Sequence, residues 1–134
     1  MKDKNTIPSS SQDWLNEIAQ AYQDAYETLS VGKFTETKIT KEDLFQLSPA
    51  VCLKFRGIEK SDENLKKATD AALSSYVATK ENVGDLFDIP QMSFAFSYLA
   101  SHFGLGLIEE STLSEIMGFV ESRLGDLIDM TNSC

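Results

Sequence analysis

The chain carries one histidine, His102, and two cysteines, Cys52 and Cys134. These are the side chains best suited to general-base, nucleophilic or soft-metal chemistry. A general base needs a neighbour that orients it, and a nucleophile needs a base within hydrogen-bond reach. His102 lies beside Phe103 in an apolar run, and the sequence identifies no orienting partner for it, so it is read as a hydrogen-bonded core residue. Positions 52, 102 and 134 have no metal-ligand spacing. The sequence has no Gly-rich phosphate loop, no H-E-x-x-H, no C-x-x-C, no calcium loop and no G-x-S-x-G elbow. Glu109 and Glu110 are adjacent, and adjacent side chains on a helix or turn point apart, which makes them a poor acid/base dyad. No cofactor, no metal and no catalytic residue is expected.

The remaining chemistry is charge. The sequence has 21 Asp and Glu against 12 Lys and Arg, a net charge of −9. Residues 1–67 hold ten basic and eleven acidic residues, net −1, and residues 68–134 hold two, Lys80 and Arg123, against ten, net −8. Such a field repels a phosphate backbone, which argues against direct nucleic-acid binding and for either solubility or a basic protein partner. No run approaches the roughly eighteen apolar residues of a membrane span, and the N-terminal "MKDKNTIPSSS" lacks the apolar segment of a secretory signal. A cytoplasmic protein without membrane association is expected. With Cys52 inside an apolar run and Cys134 at the last position, no structural disulfide is expected.

A sequence of 134 residues, 42% apolar and with eight Phe, four Tyr and one Trp, is enough for one self-sufficient core. Residues 1–10 show no periodicity and read as a flexible lead, residues 11–130 as a single helical domain, and residues 131–134 as a flexible tail. From Ser11, Trp14, Ile18, Tyr22, Ala25 and Leu29 recur at helical spacing, with Ser10 or Ser11 as N-cap and Gly32 past the end. The opposite face, Asp13, Glu17, Gln20, Asp24 and Glu27, reads as a solvated acidic stripe. Thr40 caps a short second helix that stops before Ser48-Pro49. The stretch "SPAVCLKFRG" then reads as a third helix opened by Pro49 and closed by Gly57. Alternation of Val51, Leu53 and Phe55 leaves a strand open as the alternative. Ser61 caps a fourth helix whose apolar face is Leu65, Ala68, Ala72, Tyr76 and Val77.

From Pro90 to Phe103 the pattern is apolar nearly all round. "MSFAFSY" alternates like a strand, but Pro90 at a first turn, Gly104 as a stop and the lack of β-branched residues favour a buried central helix. Ser93, Ser97 and Ser101, four apart, mark a line where a neighbour comes close. The last helix is placed at "STLSEIMGFVESRLGDLIDM", capped by Ser111, with Leu113, Ile116, Met117, Val120, Leu124, Leu127 and Ile128 inward. Gly118, Ser122 and Gly125 on it suggest close approach of a neighbouring helix or a partner. The expected fold is therefore an all-α, single-domain bundle of five or six helices with short connections.

Two groups of residues are candidates for partner contact. The first is Asp85, Phe87 and Asp88 in the connection before Pro90, where Leu86, Phe87 and Ile89 either plug the bundle or meet a partner. The second is the acids of the last part of the chain, Glu109, Glu110, Glu115, Glu121, Asp126 and Asp129. In size, charge and lack of catalytic motifs the profile looks like that of toxin-immunity proteins and other acidic inhibitors. This likeness covers no motif. It implies a small acidic protein that neutralises a basic protein partner, such as a toxin domain. The alternative is a helical scaffold subunit that self-associates through the small residues of the last helix.

Overall fold

The computed structural model describes residues 6–32 and 40–131, with the side chains of 31, 32, 41, 80–83 and 87 outside that description. It is all-helical, with no strand among the described residues. The elements are α1 (Ser11–Gly32), α2 (Lys41–Arg56), α3 (Asp62–Val83), a single 3-10 stretch (Gly84–Asp88), α4 (Pro90–Gly104), α5 (Glu110–Ser122) and α6 (Leu124–Thr131).

α4 is the axis of the bundle, touching every other helix and the 3-10 stretch. Every residue from Gln91 to His102 is buried. Its mostly apolar sequence could be stable only in such a place, because no face of it is suited to water. Around it, α1 contributes Trp14, Leu15, Ile18, Ala21 and Tyr22, and α5 contributes Ile116, Met117 and Val120. Tyr22 meets Phe94 edge to face with centroids 5.6 Å apart, and Phe94 stacks on Tyr98 at 5.8 Å. Ser10 caps α1 by accepting from the Asp13 N–H at 3.1 Å. The described part of the N-terminal segment is also engaged, since Ile7 packs against the core and the Thr6 carbonyl accepts from Arg56 Nη1 at 2.8 Å.

The second and third helices expected from the sequence are one. α2 runs from a Thr40–Asp43 capping box to Gly57 and passes straight through Pro49. A proline inside a helix costs about 3 kcal/mol or more, because its ring clashes with the carbonyl four residues back and that carbonyl loses its N–H donor. That carbonyl is Phe45, and here a hydroxyl replaces the missing N–H: Ser48 Oγ donates to it at 2.8 Å, and Ser97 Oγ of α4, 3.3 Å from the same carbonyl, donates to Ser48 Oγ. The alternation of Val51, Leu53 and Phe55 is therefore helical, with Val51 and Leu53 buried and Phe55 half-buried. Gly57 ends the helix in the left-handed region, φ 66°, where a side chain would be strained, and the Ile58 N–H closes on the Leu53 carbonyl at 2.9 Å.

Where the sequence suggested one last helix, there are two. Glu109 rather than Ser111 occupies the N-cap of α5, and the helix stops at Arg123 (φ −114°, ψ 22°). Ser122 turns its hydroxyl back to the Phe119 carbonyl at 2.8 Å, a local competitor of the helical ladder. The break lets α6 lie against α1 and α4, sinking Leu127 completely. Gln23 Nε2 of α1 holds the Met130 carbonyl, and Gln91 Nε2 of α4 holds Thr131 Oγ1, each at 2.9 Å.

Gly104 does not stop α4 by a left-handed turn. Here α3 crosses at close range: a Cβ on Gly104 would stand 2.6 Å from the Lys67 carbonyl oxygen. The turn out of α4 is made at Gly106, φ 74°. Gly118 and Gly125 are the reverse case, for a Cβ on either meets nothing within 4 Å, so no neighbouring helix among the described residues accounts for them. On α3, Ala68 and Ala72 are buried as expected, but Val77 is 74% exposed.

Candidate functional site

The six acids Glu109, Glu110, Glu115, Glu121, Asp126 and Asp129 are all exposed on α5, α6 and the cap that precedes them. The basic side chain among them is Arg123, which stands 3.7 Å from Asp126 and leans over the Phe119 ring at 5.3 Å. The other face of these helices is core, held by Ile116, Met117, Val120 and Leu127. The rigid bundle thus presents a row of carboxylates whose charge is scarcely neutralised within the row.

Asp85 and Asp88 are exposed on the 3-10 stretch, which packs on α3 and α4, while Leu86 of the same stretch and Ile89, the N-cap of α4, rest against the core. The Phe87 side chain lies outside the described residues. The bond from Gln91 to Thr131 sets the end of α6 beside the start of α4. Asp88 and Asp129 therefore belong to one end of the bundle, and Glu109 and Glu110, which follow α4, to the other.

A second, buried cluster escaped the sequence reading. Glu17 faces inward rather than forming part of the solvated stripe: its side chain is 13% exposed and ion-pairs with Arg56, itself 2% exposed, while the Tyr98 hydroxyl donates to Glu17 Oε2 at 2.8 Å. Farther along the former stripe, Asp24 is bridged by Lys54 at 3.0 Å. Next to the Glu17 cluster, Cys52 Sγ lies 3.4 Å from His102 Nδ1 and 3.7 Å from Nε2. His102 Nδ1 is 2.8 Å from the Tyr98 carbonyl, which requires a proton on Nδ1 and leaves Nε2 as the acceptor for the thiol. Trp14 meets the imidazole edge-on at 5.1 Å.

A cysteine and a histidine in contact resemble the halves of a nucleophilic dyad, but the surroundings oppose ionisation of both. Burial pushes the Cys52 thiol up to about 12 and holds His102 down to about 4. A thiolate–imidazolium pair requires shifts of opposite sign. The pair is neutral and fully buried, and it packs as core. One signal pointed to it, namely that both residues sit in apolar helical runs. Their fifty-residue separation hid the contact.

The depressed His102 has a consequence for stability. Its folded pKa lies below the ordinary 6.5, so between pH 6.5 and about 4 the unfolded chain binds a proton that the folded chain refuses. This contribution to stability is complete above pH 6.5 and is lost as pH falls towards 4. Urea unfolding at several pH values is expected to show a flatter profile across that window for His102→Gln than for the wild type. Equal slopes would contradict this origin.

Among the described residues, no three His, Cys, Asp or Glu side chains are placed to hold a metal ion, and no helix is long and apolar enough to cross a membrane. No protein-family model, curated protein or solved structure matches this chain.

Proposed function

We propose that the protein is a small acidic cytoplasmic protein that binds and neutralises a basic protein partner, such as a toxin domain, through the outer face of α5 and α6. One observation carries this reading: six exposed carboxylates from Glu109 to Asp129 share a rigid limb with a single guanidinium, Arg123. A single-sign surface of this kind speeds diffusional encounter with an oppositely charged partner and excludes nucleic acid. Asp85 and Asp88 extend the same field at one end of the bundle.

The test uses immobilised wild type and a variant with Glu115→Gln, Glu121→Gln, Asp126→Asn and Asp129→Asn. A basic protein retained by the wild type at 0.05 M salt is expected to be released by 0.5 M salt and to be retained poorly by the variant. Stopped-flow mixing with that protein should then show association slowed about tenfold or more in the variant, with dissociation changed far less. Screening explains the salt arm, because the Debye length falls from about 10 Å at 0.1 M to about 3 Å at 1 M. Association indifferent to both salt and the four substitutions would refute docking through this face.

A further inference from the structure

The bundle has an apolar groove of about 480 Å³ between α2 and α3, distant in sequence from the acidic limb. Phe45 and Pro49 form one wall, Ala72, Leu73 and Tyr76 the other, and Ser93 of α4 lies at the floor. Phe45 and Tyr76 meet edge to face across the gap at 5.5 Å. Leu73 is half exposed, an unusual position for a large aliphatic side chain on a wall of this kind. The volume falls within the roughly 300–1,000 Å³ of small-molecule pockets.

Ser93 separates this groove from an ordinary packing defect. It is 3% exposed, its N–H bonds the Ile89 carbonyl at 3.0 Å, and its hydroxyl makes no hydrogen bond to the described residues. The serines on the same line of α4 are both satisfied, Ser97 by Ser48 Oγ and Ser101 by the Ser97 carbonyl at 2.8 Å. The Ser93 hydroxyl has no protein partner among the described residues and belongs to the lining of the groove, and apolar walls with one placed polar group are the composition of ligand sites. The charged residue of the lining is Glu42, exposed near the N-terminus of α2. Its carboxylate opposes an anionic ligand and favours a neutral or cationic one.

We propose that the α2–α3 groove binds a small apolar molecule, neutral or cationic, whose inner hydrogen-bonding group pairs with Ser93 Oγ. The aromatic edges of Phe45 and Tyr76 and the side chains of Pro49 and Leu73 enclose its hydrocarbon body. The site is independent of the acidic face of α5 and α6, so loss of one leaves the other intact.

Two fluorescent probes with one ring framework test this on the full chain: neutral N-phenyl-1-naphthylamine and anionic 8-anilinonaphthalene-1-sulfonate. The neutral probe is expected to bind saturably, one per chain, with blue-shifted emission, and the sulfonate about tenfold more weakly. Glu42→Gln should narrow that gap. Leu73→Asp, which puts a charge into a half-exposed wall without touching the core, should abolish binding while the circular dichroism spectrum is unchanged. Ser93→Ala should weaken the neutral probe about three- to tenfold, the equivalent of one hydrogen bond. It should also leave Tm nearly unchanged, because it removes a hydroxyl that bonds no other described part of the protein. No saturable binding of the neutral probe would overturn the proposal. So would binding untouched by both Leu73→Asp and Ser93→Ala, or a Ser93→Ala variant that loses Tm and keeps its affinity.

Discussion

Arg56→Met is expected to destabilise the fold by about 3–5 kcal/mol, the cost typical of removing one partner from a buried ion pair. The size follows from what is left behind. Glu17 keeps a nearly buried carboxylate, and after the substitution its remaining partner is the Tyr98 hydroxyl. The Thr6 carbonyl loses the Nη1 donor at 2.8 Å, which releases the segment before α1. The last turn of α2 also loses a cation that complements its dipole. The pair itself is a different matter from its halves. Glu17→Leu combined with Arg56→Met removes both charges, and that double variant is expected to recover most of the stability, within about 2 kcal/mol of the wild type. Urea unfolding of the two single variants and the double measures the coupling. A loss below about 1 kcal/mol in Arg56→Met would mean that the pair is effectively solvated and that the cluster does not organise the contact of α1, α2 and α4.

Gly104→Ala is expected to cost about 1–3 kcal/mol, against the usual gain from replacing a helical glycine. The new methyl would lie 2.6 Å from the Lys67 carbonyl oxygen, and it would also collide with the Ala71 side chain. A backbone atom of a neighbouring helix cannot swing aside, so α3 must move away from α4 along the line that Ser101 and Ala68 now share. Gly118→Ala is the internal control, since its added methyl meets nothing within 4 Å and the helix gains about 1 kcal/mol of propensity. Thermal unfolding should therefore move in opposite directions for the two substitutions. A stabilised Gly104→Ala would show that the α3–α4 crossing is looser than described.

The local signals were legible where the bonds that use them are local. Thr40 with Asp43, Ser61, and Gly57 each announce a helix end within a few residues of the groups they satisfy. The burial of α4 was readable because every one of its faces is apolar or small. Pro49 misled because its remedy is a side chain rather than a backbone N–H: Ser48 Oγ takes the freed carbonyl, held in place by Ser97 far along the chain, which local pattern cannot show. The break at Arg123 was hidden for a similar reason. Apolar periodicity along 111–130 favours one helix, and burial of Leu127 against α1 and α4 decides for two. Of the candidate site, the exposed acids of the last part of the chain were placed by periodicity alone, while Glu17 was misassigned, since an acid on a polar stripe declares nothing about an arginine thirty-nine residues away. The groove was invisible to the sequence, being a relation among three helices.

The complete enclosure of α4 also bears on how such a sequence can drift. Each position from Gln91 to His102 answers to neighbours on several helices at once, so nearly every exchange there is felt somewhere else in the bundle. The outward positions of α3, α5 and α6 answer mainly to water. Divergence among descendants of this chain is thus channelled to its periphery: recognition can be rewritten on the outer helices while the axis stays nearly unchanged, and two proteins of this lineage could share little beyond that one segment and still fold alike.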